Sequence, residues 1–128
     1  MKPSRIQAID HVHLEAPPGI SQALTWFYAE VAELDFLGGD AAGATRLCFR
    51  SERIELRIRI TADPWIDSIG CRAVIQVPSL EATVKRLEEG KVSYERLTGI
   101  AWTDRRVGVL DPAGNRIELK QEWPQGTF

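Results

Sequence analysis

Sulfur and imidazole are scarce in this chain: 128 residues contain two cysteines, two histidines and one methionine. Cys48 and Cys71 lack metal-ligand spacing, and in a chain with no visible export signal they read more simply as reduced thiols than as a disulfide. No apolar run approaches the roughly 18 residues that a membrane span requires. Met1-Lys2-Pro3-Ser4-Arg5 is polar with no apolar core behind it, so no signal peptide is visible. There is no block of like charge. Sixteen basic against eighteen acidic residues leave a net charge of -2, without the electrostatic footprint of a nucleic-acid binder. A P-loop, a dinucleotide fingerprint and a Ser-His-Asp arrangement are also missing. These absences predict a cytoplasmic protein whose partner is neither nucleic acid nor membrane.

What is there is an ordinary globular composition, 44% hydrophobic and 27% charged. The length suits one domain, or two small half-domains that share a core. The most informative stretch is 106–121, RVGVLDPAGNRIELKQ. Val107 and Val109, then Ile117 and Leu119, alternate with other residues around Asp111-Pro112-Ala113-Gly114-Asn115, which predicts a β-hairpin. Pro112 suits a type I turn and Gly114 the left-handed position after it. On the second strand Ile117 and Leu119 share one face, so Arg116, Glu118 and Lys120 share the other.

From the start, 6–15 (IQAIDHVHLE) reads as a strand with Ile9, His11 and His13 on one side and Val12 and Leu14 on the other. Pro17-Pro18-Gly19 stops it. A helix is predicted over 21–34, capped by Ser21 and carrying Leu24, Phe27, Val31 and Leu34 on its apolar stripe, with Trp26 partly exposed. Gly38-Gly39-Asp40 and Gly43 form a loop. Strands 45–50 and 53–60 follow as a hairpin. Thr61-Ala62-Asp63-Pro64 interrupts the pattern, which then restarts: a strand over 71–77, a helix capped by Ser79 and ended by Gly90, short extended pieces at 92–96 and 101–103, and the hairpin.

Each half therefore reads strand, helix, then two or three strands, an internal repeat. Arg53-Ile54-Glu55-Leu56-Arg57 matches Arg116-Ile117-Glu118-Leu119-Lys120 at four identical positions and a fifth that is cationic in both. Pairing His11-Val12-His13-Leu14 with Arg72-Ala73-Val74-Ile75 places Glu55 after His11, and Glu118 after Arg72, at nearly equal separations. The repeat predicts a pseudo-two-fold axis that gathers His11, Glu55, Arg72 and Glu118. Arg53, Arg57, Arg59, Arg72, Arg116 and Lys120 outnumber the two glutamates on the face opposite the apolar residues, which favours an anionic ligand. Arg57 and Arg72 are the expected ligand-binding arginines, with His13 as a further polar neighbour or a filler of the sheet wall. Trp65 and Trp102 lie in or near loops, as cleft walls or as core.

IDHVHL, the helix containing WFY, RIELR and above all DPAGNRIEL resemble the glyoxalase, bleomycin-resistance and extradiol-dioxygenase proteins, the vicinal oxygen chelate superfamily. The resemblance covers roughly residues 6 to 123. It implies an α+β fold of two tandem βαβββ modules, at 5–62 and 68–123 of a single domain, whose curved mixed or antiparallel sheets surround a cavity with helices outside. It also implies a homodimer in many members. In metal-dependent members a divalent ion is held at the first and last strands of each module. That set falls here on His11, Glu55 and Glu118. The fourth position falls on Arg72, which has no lone pair to offer a metal. One imidazole and two carboxylates suit Zn, Ni, Mn, Fe or Mg, with open positions for water and substrate.

Two readings stay open at this point. In one, the protein is a metal-dependent lyase, isomerase or epimerase on a small anionic oxygenated metabolite, with Glu118 or Glu55 acting as base. Dioxygenase chemistry fits less well, because it implies two histidines and one glutamate. In the other, Arg72 forms an ion-pair network with the glutamates where a metal would sit, and the protein is a metal-free module that binds or sequesters small molecules.

Overall fold

The computed structural model describes residues 11–39, 45–52, 54–98 and 105–121. Eight strands form two four-stranded sheets. The first contains β1 (His11–Ala16), β2 (Asp35–Gly38), β3 (Arg46–Ser51) and β4 (Ile54–Ile60) in the order β1-β4-β3-β2. The second contains β5 (Ala73–Val77), β6 (Tyr94–Thr98), β7 (Arg105–Leu110) and β8 (Arg116–Gln121) in the order β5-β8-β7-β6. In both, the first strand pairs parallel with the last and the remaining pairs are antiparallel. The repeat seen in the sequence is thus a repeat of topology. The sheets are mixed and do not close into a barrel.

Alternation along each strand divides the residues by face. Leu14, Leu47, Phe49, Ile58, Val107, Ile117 and Leu119 are buried in the core, packed with the helical segments. His11, His13, Glu55, Arg57, Arg106, Glu118 and Lys120 have the opposite parity and share the open faces. The second helix, α2 (Leu80–Glu89), follows the sequence closely. Ser79 caps it by accepting from the Ala82 N–H at 3.2 Å, and Leu80, Val84 and Leu87 are buried.

The first helix departs from expectation. α1 covers only Ser21–Thr25, and the chain continues as a π-helical segment, Trp26–Val31. In that segment both Phe27 and Tyr28 are fully buried, whereas Trp26 is only partly so. A regular helix turns adjacent side chains about 100° apart, and the looser winding lets two consecutive aromatics face the core. Their rings meet edge to face, with centroids 4.9 Å apart. The predicted helix also ran through Leu34 and hid β2, whose four residues show only a short alternation before Gly38.

The hairpin turn forms as read, with Gly114 at φ 100°. Its polar residues do more than turn the chain. Asp111 Oδ1 accepts from the N–H groups of Ala113 and Asn115, both at 2.9 Å, and Oδ2 accepts the Tyr28 hydroxyl at 2.6 Å. Asn115 Nδ2 donates to the Glu15 carbonyl at 2.9 Å. The second hairpin is thereby fastened to the helical segment and to the first strand of the other sheet. Strand residues before His11, the pieces at 101–103, Arg53 and Trp102 lie outside the described residues. Among the described residues, no helix is long and apolar enough to cross a membrane.

Candidate functional site

Register sets the geometry of the open faces. In the first sheet, β1 runs beside β4 with His11 opposite Glu55 and His13 opposite Arg57. In the second, β5 runs beside β8 with Val74 opposite Glu118 and Ala73 opposite Ile117. The residue that stands to Glu118 as His11 stands to Glu55 is therefore Val74, not Arg72. The sequence pairing of the opening strands is displaced by two residues, a shift that preserves the alternation of faces and so leaves no trace in the pattern. Val74 is about half exposed on the open face.

Arg72 has other work. Its guanidinium carbon lies 4.2 Å from the centre of the Trp65 ring, and Nη2 donates to the His13 carbonyl at 3.2 Å. Its backbone N–H donates to the Arg116 carbonyl at 2.9 Å. The expected ion pairs from Arg72 to Glu55 and Glu118 are not formed. A planar cation beside an exposed indole stacks on it, and that interaction cannot be inferred from spacing when the two residues are joined by a loop.

The glutamates are held instead by arginines of their own sheets. Glu55 accepts from Arg57 Nε at 3.0 Å and from Arg50 Nη2 at 3.2 Å, and these two hydrogen bonds, Arg57 first, hold its carboxyl below the usual glutamate range. Arg50 is directly opposite Glu55 across β3 and β4, while Arg57 is its same-face neighbour along β4. Glu118 accepts from Arg106 Nη1 at 3.2 Å. Arg50 and Arg106 are the partners that sequence reasoning missed. The hairpin register could have found Arg50, which lies directly opposite Glu55, whereas Arg106 lies opposite Lys120 and reaches Glu118 diagonally.

His13 is exposed and does not plug the sheet wall; its Nε2 is 3.4 Å from Glu15 Oε2. The Glu15 carboxyl is lowered chiefly by the Trp65 backbone N–H, which donates to it at 2.8 Å, and further by His13 and Arg59. Beside Glu118 stands Cys71, whose thiol is pushed up by burial and then by the Glu118 charge. Cys48 and Cys71 are both free thiols.

A divalent ion needs donors converging on one point. Among the described residues no group of three His, Cys, Asp or Glu side chains is placed to hold one. His11 and Glu55 are neighbours in one sheet, but Glu118 belongs to the other and has a valine beside it. Both carboxylates already accept guanidinium hydrogen bonds, and those cations compete with a metal for them. The described residues of one chain do not fit a resident metal.

No family model matches the chain, and no curated protein matches its sequence. Solved structures do match its fold. A glyoxalase family protein from Bacillus anthracis superposes with a TM-score of 0.76 at 21% identity, over 95% of this chain and 100% of that one. The lactoylglutathione lyase of Agrobacterium tumefaciens gives 0.67 at 19% identity, over 92% and 96%. The fosfomycin resistance protein FosX of Listeria monocytogenes gives 0.71 at 12% identity, over 93% and 96%. These proteins belong to the vicinal oxygen chelate superfamily, and the chain has the two-module α+β fold that they share.

Proposed function

We propose that the chain is a small-molecule-binding protein of the glyoxalase and bleomycin-resistance type that captures an anionic ligand on its open sheet faces without a resident metal. The observation that carries this reading is the unequal pair of registers. Glu55 has His11 beside it and Glu118 has Val74, while Arg50, Arg57 and Arg106 hydrogen-bond the two carboxylates. Positive charge that relatives of this fold can draw from an ion is supplied here by guanidinium groups. In the first sheet Arg46 and Arg59 also face each other directly across β3 and β4. Like charges opposite one another cost stability, and a bound anion relieves that cost. Arg57 engages Glu55 through Nε, which leaves its two terminal nitrogens for a ligand. A homodimer accords with the reading, since Val74 and Leu110 leave apolar surface exposed on the open face of the second sheet.

A second reading, a metal-dependent lyase or isomerase on an anionic metabolite, is favoured by one observation, the adjacency of His11 and Glu55. It requires donors beyond those that the described residues of one chain bring together.

The test is a thermal-shift screen of small carboxylates and organophosphates, run with and without EDTA. A ligand that binds the folded state raises Tm, by about 2.7 kcal/mol of stabilisation at a hundredfold excess over Kd. The metal-free reading expects a stabilising acid whose effect survives EDTA and is lost in Arg57→Ala. Stabilisation that appears only when a divalent ion is added would support the second reading instead.

A further inference from the structure

We infer that a groove at the β6-β7-β8 edge of the second sheet, away from the His11, Glu55 and Arg57 cluster, is a binding subsite for a small oxyanion, with Arg116 as the residue that holds it. The groove has a volume of about 260 Å³ and is lined by Tyr94, Glu95, Gly108, Val109, Leu110 and Arg116. Its floor is Gly108, buried in the middle of β7 directly across from Glu95. The Arg116 guanidinium lies over this floor. A Cβ on Gly108 would stand 2.9 Å from Arg116 Nη2, 3.3 Å from its Cζ and 3.3 Å from Leu97 Cδ1, so the missing side chain is what gives the guanidinium its place.

The electrostatics of the groove are unfinished. Arg116 keeps only 23% of its side-chain surface exposed, yet its one ion-pair partner among the described residues is Glu95, at 3.9 Å and itself 67% exposed. That separation is too long for a hydrogen bond. A guanidinium offers five donors in a planar fork that matches a carboxylate or phosphate, and none of those donors is hydrogen-bonded among the described residues. The backbone of Arg116 is fixed at both ends of its peptide unit: its N–H donates to the Asp67 carbonyl and its carbonyl accepts from the Arg72 N–H, both at 2.9 Å. Asp67 in turn is braced by the N–H groups of Ile69 at 2.9 Å and Gly70 at 2.8 Å. The cation is therefore held at its root, half-covered at its head and poorly neutralised, beside the apolar wall of Val109 and Leu110. A small anion with a short apolar group suits that combination, whether the anionic group is a phosphate or a carboxylate. The groove lies on the open face of the second sheet, where Gly108 stands opposite Glu118, so the inference rests on the reading of the open faces as anion-binding, while its test turns on Arg116 and not on Arg57.

Inorganic phosphate and acetate serve as probes. Each is titrated into the full chain, labelled with nitrogen-15, at constant ionic strength against chloride. The subsite predicts saturable shifts of the Gly108 amide and the Arg116 Nε–H for at least one probe, and comparison of the two titrations identifies the preferred anionic group. Arg116→Ala should weaken binding at least about tenfold, as loss of charge-assisted hydrogen bonds does. Gly108→Ala, which displaces the mobile end of an arginine and crowds one methyl group of Leu97, should do likewise with the fold intact. Glu95→Gln should tighten binding roughly two- to fivefold by removing a weak, exposed competitor. Shifts that fail to saturate with both probes, that persist in Arg116→Ala, or that Glu95→Gln weakens would overturn the inference.

Discussion

The Tyr28 hydroxyl donates to Asp111 Oδ2 at 2.6 Å inside the core, joining the π-helical segment of the first module to the hairpin turn of the second. Both residues are buried, Tyr28 completely. The Asp111 to Asn115 turn is thus a structural clamp, with a carboxylate that accepts two backbone N–H groups and a phenol at once. Tyr28→Phe keeps the ring and deletes the donor. It should cost about 1.5–3 kcal/mol, the usual value of a hydrogen bond to a charged group, measured by urea unfolding.

The same clamp predicts an alkaline dependence. Burial first, and the Asp111 charge second, push the Tyr28 hydroxyl well above its ordinary value. The folded protein therefore keeps a proton that the unfolded chain releases above about pH 10. Stability from this group is complete below that pH and falls as the pH rises further. Unfolding free energy measured between pH 8 and 11 should decline more steeply in the parent than in Tyr28→Phe.

Asn115 predicts a second way to loosen the module contact. It is fully buried and donates through Nδ2 to the Glu15 carbonyl across the chain. Asn115→Ala leaves that carbonyl without the amide and should cost about 1–3 kcal/mol. Hydrogen exchange should show the loss concentrated in β1 and the hairpin turn.

Arg57 favours the ionised form of Glu55. Its hydrogen bond is the largest influence lowering that carboxyl, ahead of Arg50. In Arg57→Ala the Glu55 titration, followed by carbon-13 shifts of its carboxyl, should move up toward the ordinary glutamate range. The corresponding stability is present above the unfolded-state value and is lost as pH falls, so the variant should also show a shallower acid arm.

Much of this architecture was legible in the chain. The 2-residue alternation of Ile54 to Ile60 and of Arg116 to Gln121, the Ser79 cap and the Asp111 to Asn115 turn are local signals, and each produced the element it predicted. The near-identity of the two glutamate strands revealed the repeat. What escaped was set by tertiary contact. The π-helical segment exists because Phe27 and Tyr28 both find core, and Arg72 leaves the glutamates because Trp65 is beside it. The displacement from Arg72 to Val74 escaped for a different reason. Two parallel strands can slide by two residues without changing any side chain's face, so only the hydrogen-bonded register distinguishes the alternatives.

Val74→His restores an imidazole beside Glu118 and reproduces the neighbour relation of His11 and Glu55. Combined with Arg106→Ala, which removes the guanidinium that hydrogen-bonds Glu118, it should raise affinity for Zn or Ni at least about tenfold over the parent in calorimetric titration, because one added imidazole joins a carboxylate relieved of a competing cation.

Guanidinium groups that stand in for a resident ion leave the chain with no tight metal site of its own. Elemental analysis of the parent chain, purified without chelator, together with titration by Zn, Ni, Mn, Fe and Mg, tests this most directly. The parent should hold well under one ion per chain and show no tight site, with His11→Ala indistinguishable from it. One tightly held ion per chain that disappears in His11→Ala would contradict it.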